Sequence, residues 1–398
     1  MKVKIKNIGS IVTWSKSSDS LIIGKDLEIL IENEIISEVS KSVNKADFEI
    51  DANYSLITPG FIDSHTHPIY SGSREKEFGM RVSGKSYQEI AELGGGINFT
   101  VQKVRETSIE QLYNESLHRV NYFIKKGTTT IEAKSGYGLT LDDEIKSLKV
   151  VKKLQKTCKI DIVPSFMGAH AIPKEYENNR SKYIEIICND MIPKVAKEKL
   201  ASFCDVFCEQ GYFSIEESRK ILKTAQLYGL NAKLHADEFE HSNAAELAGE
   251  INAVSADHLM KISDLGIKSL AENGVIATLL PGTTLFLGQK NYAPGRKIID
   301  GGCEVALATD YNPGSCTIQS IPLIMSLAVL YCGLTIEEAF KGVTWNAAKA
   351  IAKDDKIGLI KEGYQADLLF WNIKKINEIP YWMNSDRIVR IIKCGEVL

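Results

Sequence analysis

The chain has 398 residues, 44% apolar and 25% charged, the proportions of a globular protein able to bury a large core. Its 48 Lys and Arg against 51 Asp and Glu leave a formal net charge of -3, so no basic surplus points to nucleic acid or an anionic membrane surface. No window approaches the ~18 apolar residues of a membrane span. Residues 1–6 alternate charged and apolar side chains without the apolar run of a secretory signal. Eight scattered cysteines with no C-x-x-C pair suit a reducing cytoplasm without disulfides, and Cys204 and Cys208 read as half-buried thiols rather than ligands.

The N-terminal stretch is β-rich, with strands expected at 2–8, 27–31, 35–39 and 48–50 and a tight turn at Asn33-Glu34. After Pro59 helical patterns alternate with short β-rich runs. Residues 108–126 make an amphipathic helix, opened by Ser108 and Gln111 at capping-box spacing and closed by Gly127. A strand at 128–133, a helix at 141–155 and a strand at 160–166 follow. Residues 183–200 are mostly helical, with Pro193 expected to kink or divide the helix. Beyond the strand at 203–208, Ser214 and Glu217 cap a helix running to Tyr228, which Gly229 ends. Strands at 231–236, 253–258, 275–280 and 304–310 complete the series, with helices at 243–248, 264–272, 318–331 and 336–352.

Eight strands, beginning at Phe61, Thr128, Ile160, Phe203, Asn231, Ala253, Val275 and Glu304, thus alternate with helices. That order predicts an α/β protein with a (β/α)8 TIM barrel over 58–356; a doubly wound open sheet is the rival. Residues 358–360, 366–371 and 388–392 turn β-rich again. Segments 1–57 and 357–398 are therefore expected to pack together as one small β-sandwich-like domain beside the barrel.

The chemistry begins in Pro59-Gly60-Phe61-Ile62-Asp63-Ser64-His65-Thr66-His67-Pro68. A strand sends alternate side chains to one face, so His65 and His67 point together, and Pro68 ends the strand. Side chains at the C-terminal ends of barrel strands face the active site. Later strands lead there into His170, His235, His258 and Asp310, so five of the seven histidines fall at one rim. A metal held by His65, His67, His235 and Asp310 has only nitrogen and oxygen ligands, which suits zinc or non-heme iron. A water beside the ion would have its pKa lowered toward neutrality. Glu238, three residues beyond His235, is placed for general acid/base work, and His258 for polarising a carbonyl. No G-x-S-x-G elbow or P-loop competes.

The Phe-Ile-Asp-x-His-x-His start, the later histidines and the last-strand Asp310 resemble the amidohydrolase superfamily, across nearly the whole chain. Glu238 and His258 look like its mononuclear members. Lys134, the one lysine ending an early strand, reads as structural rather than as the bridging carboxylated lysine of binuclear members. Longer segments narrow the resemblance: Ser135-Gly136-Tyr137-Gly138-Leu139, Phe166-Met167-Gly168-Ala169-His170-Ala171-Ile172-Pro173, and Ala308-Thr309-Asp310-Tyr311-Asn312-Pro313-Gly314-Ser315. They imply hydrolysis of the ring amide of 4-imidazolone-5-propanoate to N-formimidoyl-L-glutamate, in histidine breakdown, with one Zn2+ or Fe3+ per chain and a homodimer. By the same resemblance Arg74 pairs with the propionate, and Tyr137, His170, Glu238, Asn312, Gly314 and Ser315 bind substrate, while Glu238, His258 and Asp310 act in catalysis. The Gly94-Gly95-Gly96 run is expected to be a mobile loop that can cover the pocket. Two other readings share these residues: an aminohydrolase removing an exocyclic amine from a heterocycle, and a catalytically dead barrel used for assembly. Ammonia release separates the first, and an intact ligand set argues against the second.

Overall fold

The computed structural model describes residues 2–85, 89, 93–383 and 385–398. Seven strands precede the barrel: β1 (Lys2–Lys6), β2 (Ser10–Ser15), β3 (Ser20–Gly24), β4 (Glu28–Glu32), β5 (Ile35–Ser40), β6 (Phe48–Asp51) and β7 (Leu56–Pro59). Asn33 and Glu34 both adopt positive φ, 49° and 73°, the conformation that lets a two-residue turn follow the twist of β4 and β5. Eight parallel strands follow: β8 (Phe61–Asp63), β9 (Thr128–Lys134), β10 (Asp161–Ala169), β11 (Phe203–Cys208), β12 (Asn231–Ala236), β13 (Ser255–His258), β14 (Ile276–Leu279) and β15 (Val305–Leu307). Each pairs with its sequence neighbour in order. That is the (β/α)8 arrangement; an open doubly wound sheet would reverse its strand order part-way.

The ring closes through side chains and strand extensions. The Asp63 carboxylate accepts the Thr309 N–H at 3.0 Å and its hydroxyl at 2.6 Å. Asp310 N–H donates to His65 O at 3.1 Å, His67 N–H donates to Tyr311 O at 2.8 Å, and Thr66 bridges Tyr311. First and last strands are thereby locked where the candidate ligands emerge.

The C-terminal strands β16 (Leu368–Trp371), β17 (Ile388–Lys393) and β18 (Glu396–Val397) join N-terminal ones in a six-stranded sheet, β18-β17-β16-β7-β2-β3. A second sheet, β5-β4-β1-β6, faces it. Val3, Ile5, Ile29 and Ile31 of one meet Ile11, Ile57, Leu368, Phe370 and Ile392 of the other in a single apolar core. Buried Lys393 ties this unit to the barrel, its Nζ 2.6 Å from Asp161 and 2.7 Å from Asp367.

Several local expectations are revised. Strands β2, β3 and β7 and helices Glu75–Val82 and Ile97–Glu106 were not marked by the sequence pattern. Residues 358–360 form no strand; the Ile360 N–H is spent on the Thr13 hydroxyl, a side chain of β2. At Pro193 the α-helix is interrupted, as expected. The chain runs helically from Arg180–Ile186 through a π turn at Ile187–Met191 into Ile192–Lys197, a widening that accommodates the ring and the missing N–H. No helix among the described residues is long and apolar enough to cross a membrane.

Gly60 is the crossing point between the six-stranded sheet and the barrel: its N–H donates to Asp367 O, and the next residue's to Gly127 O. A Cβ there would lie 2.2 Å from Thr129 Oγ1 and 2.5 Å from its methyl. Gly60→Ala should therefore lose about 1–3 kcal/mol by overpacking. In urea unfolding, adding Thr129→Ala should recover part of the loss; strictly additive losses would refute the steric account.

Candidate active site

Strand periodicity and ring closure together bring His65, His67, His235 and Asp310 to one point. His67 Nε2 lies 3.2 Å from His65 Nε2 and 3.4 Å from His235 Nε2, and Asp310 Oδ1 is 3.6 Å from the Nε2 atoms of His65 and His67. The tautomers follow from the opposite ring nitrogens. His65 Nδ1 donates to Asp257 at 2.6 Å and His235 Nδ1 to Asp205 at 3.1 Å, so both Nε2 atoms present lone pairs inward. Converging lone pairs in a sealed pocket repel one another unless a cation lies between them. Two nitrogens about 2.1 Å from one tetrahedral ion stand roughly 3.4 Å apart, the spacing found here. Thr283 donates to Asp310 Oδ2 at 2.6 Å, leaving Oδ1 for the cluster. The donor set therefore fits a divalent metal. Burial, reinforced by nearby positive groups, holds His65 and His67 well below ordinary histidine values, so both are neutral ligands.

A cavity of about 510 Å³ opens over this cluster. Arg74, Tyr137, His170, Glu238, His258, Asn312, Gly314 and Ser315 all line it, together with His67, His235 and Asp310. Glu238 Oε2 stands 3.6 Å from His258 Nε2. Burial, with the Asp310 and Glu209 charges beyond it, pushes the Glu238 carboxyl well above its ordinary value, and burial lifts Asp310 to about 6. Neither ring nitrogen of His258 has a hydrogen-bond partner among the described residues. His258 and Asp310 both adopt left-handed backbone, φ 83° and 55°, which turns their side chains off the strand ends. His170 Nδ1 donates to Gly136 O at 3.0 Å, its ring lies 5.3 Å from His67 and 5.2 Å from Tyr137, and burial lowers it to about 3. Asn312 lines the cavity with its amide committed: Oδ1 accepts from the N–H groups of Gly314 and Ser315, and Nδ2 donates to Asp310 O and Ser315 Oγ. Gly96 at the end of the Gly-rich run donates its N–H to Glu77, beside Arg74.

The model of the amidohydrolase family matches residues 56–398. The chain belongs to the amidohydrolase family. Among curated relatives, an imidazolonepropionase of Geobacillus sp. (strain WCH70) is 47% identical over 94% of this chain and 88% of its own length. One of Clostridium tetani (strain Massachusetts / E88) is 44% identical over 100% of this chain and 98% of its own. Among solved structures, a guanine deaminase from C. acetobutylicum with bound guanine covers 100% of both chains at TM-score 0.76 and 19% identity, a likeness of fold.

Beneath the ligands, this amidohydrolase buries a charged layer that sequence reasoning missed. Lys134 Nζ lies 2.8 Å from Glu132 and 2.5 Å from Asp205; Lys233 Nζ lies 3.2 Å from Glu132 and 3.8 Å from Asp257. Burial opposes the Lys134 charge, but Asp205, Glu132 and Asp257 outweigh it and raise its pKa, which keeps Lys134 an ammonium in an ion-pair network. Other missed lining residues are Glu77, Arg81, Phe207, Tyr212, Phe239 and Gln289. The charged pair on helix Glu75–Val82 was legible in principle from its spacing, since Glu77 and Arg81 share a face at i, i+4.

Asp257→Asn should weaken metal binding about 10- to 100-fold by releasing the His65 ring. Competition against a chromophoric chelator reads the affinity directly, and an unchanged value would mean that Asp257 does not orient the ligand.

Proposed function

We propose that this amidohydrolase is an imidazolonepropionase, opening the ring amide of 4-imidazolone-5-propanoate to give N-formimidoyl-L-glutamate in histidine degradation. What carries the reading is one cavity that joins a histidine–aspartate cluster and an acid/base pair to arginine at its far side, in a chain related end to end to curated imidazolonepropionases. The substrate is a small cyclic amide with a carboxylate tail, which matches that polarity.

His65, His67, His235 and Asp310 would hold one ion per chain, zinc or iron, whose chemistry is to polarise the ring carbonyl and acidify the attacking water. The protein's own groups do the rest. Glu238, kept proton-hungry by burial, takes the proton of the attacking water and delivers it to the ring nitrogen as the carbon–nitrogen bond breaks. His258, neutral and with neither ring nitrogen hydrogen-bonded among the described residues, donates a hydrogen bond to the carbonyl oxygen as negative charge grows there. Tyr137 and His170, packed against each other, form the wall against which the ring lies. Asn312 holds the Gly314–Ser315 turn open beside the propionate. The net change is one water added across one carbon–nitrogen bond. We assign the protein to the cytoplasm and to homodimers, and the domain division to residues 58–356 against 1–57 with 357–398.

Metal-replete protein should bleach the ring absorbance of freshly made 4-imidazolone-5-propanoate and yield formimidoylglutamate without ammonia. Ammonia as a product would favour the aminohydrolase reading, and no turnover at one bound ion per chain would reject both the substrate and the pocket assignment. Glu238→Gln should keep its metal and its thermal transition while kcat falls about 10²- to 10⁴-fold; near-wild-type turnover would end the proton-transfer assignment.

A further inference from the structure

The cavity mouth carries a cation that the foregoing account leaves unused. Helix Glu75–Val82 begins just after Arg74 and sends Glu77 and Arg81 to the same cavity. Arg74 is not a free positive charge. Its Nε donates to Glu77 Oε2 at 2.9 Å and its Nη2 lies 2.8 Å from that carboxylate. Glu77 Oε1 is taken by the Gly96 N–H at 2.9 Å. The Arg74–Glu77 pair is therefore neutral as a unit and tethered to the loop below it. Only Nη1 of Arg74 remains, lying over Gly314, where even a Cβ would come within 2.1 Å of it.

Arg81 differs on each point. Its Nη2 is shielded from solvent and has no hydrogen-bond partner among the described residues. Its guanidinium rests over the rings of Phe78 and Phe286, 5.6 and 5.4 Å from their centres, and those rings pack 5.3 Å apart. A shielded guanidinium N–H without an acceptor is an unfilled donor, and the aromatic shelf fixes where it points. Burial and the neighbouring Arg74 charge weaken its hold on its proton and Glu77 offsets only part of that, so an anion between the two arginines relieves the remaining repulsion. Arg74 and Arg81 are seven residues apart, about 10.5 Å along a helix axis, a gap that two arginine side chains converging on one carboxylate span.

We propose that Arg81 is a specificity-determining residue: its guanidinium, with an Nη2 donor unfilled among the described residues, binds the substrate's carboxylate, with Nη1 of Arg74, held by Glu77, completing the cradle. The proposal rests on the reading of the substrate as a propionate. Lys85 reaches the same mouth but is exposed, so its charge is screened and hydrated.

The test uses metal-loaded full-length protein, wild type, Arg81→Gln and Arg81→Lys. Calorimetry measures binding of 3-(imidazol-4-yl)propanoate and of 4-propylimidazole, which share a ring and differ in the carboxylate, and steady-state assays measure turnover of 4-imidazolone-5-propanoate. Wild type should prefer the carboxylate ligand, and Arg81→Gln should erase that preference. The same variant should raise KM about 10- to 100-fold, the value of one charged hydrogen bond, with kcat held within about three-fold. Arg81→Lys should restore part of both. A preference that survives in Arg81→Gln overturns the proposal, as does an equal loss for both ligands, which is the signature of a merely structural role. Wild-type protein with no preference overturns it too. A preference carried by Arg81 in a protein that leaves the imidazolone unhydrolysed would instead reject the proposed function and leave the carboxylate site standing.

Discussion

The catalytic end of the barrel depends on five charged side chains sealed inside it: Lys134, Lys233, Glu132, Asp205 and Asp257, all without solvent exposure. None can be buried alone, because an isolated charge in such surroundings is prohibitively unfavourable. Each is tolerated only while the others are in place, and removing one partner from such a network costs about 3–5 kcal/mol. The layer also sets the chemistry above it. Asp257 and Asp205 are pinned from below by the lysines and pass that constraint upward to His65 and His235, fixing which nitrogen of each ring faces the cavity. Two ammonium groups against three carboxylates leave the layer one unit negative, the Asp310 carboxylate above adds a second unit, and a divalent cation between them would balance both. Stability and metal affinity are thus one electrostatic problem.

A similar use of buried carboxylates recurs in the loops that carry the remaining site residues. Glu144 accepts the N–H groups of Gly136, Gly138 and Leu139, and so shapes the turn that presents Tyr137. Glu209 accepts the N–H groups of Glu238 and Phe239 and fixes the backbone beneath the Glu238 side chain. Asp237 accepts from Ser242 and Ala245, steadying the segment that follows His235. In each case backbone with no ladder of its own is satisfied by a buried carboxylate, from a helix for Glu144 and from just past a strand end for Glu209 and Asp237, and a left-handed residue such as Leu139 or Asp237 is held against its conformational preference.

The parts legible in the sequence are those written as local periodicity. His65 and His67 sit two apart just past the end of β8, and the ends of the barrel strands β9–β15 came out within three residues because β-rich runs alternate with capped helices. Ser214 and Glu217 form the expected reciprocal cap, whereas at Ser108 only the hydroxyl half is made. The missed parts are those whose meaning comes from partners distant in sequence. Lys233 sits in Asn231–Ala236 like any strand lysine, and only the closed barrel brings it to Ser64 O, Ala350 O and Glu132. Strand β2 escaped because Ile11, Val12 and Thr13 are all buried, so its two covered faces show no alternation. Arg81 has an unremarkable helical neighbourhood, and its role at the mouth depends on where Phe286 and Arg74 lie.

The fold by itself does not choose the reaction. A chain with the same architecture at 19% identity is a guanine deaminase, and a water activated beside Glu238 and His258 attacks a ring carbonyl or an amidine carbon by the same proton itinerary. What differs is the leaving nitrogen, tied into the ring in one case and free to depart in the other. That distinction lies in how the ring is presented, which in the proposed reading is governed from the mouth of the cavity, where Arg74 is tethered by Glu77 and the Arg81 Nη2 has no hydrogen-bond partner among the described residues. In the proposed reading a fixed tail sets which ring atom reaches the floor, so residues remote from the metal cluster contribute to selectivity.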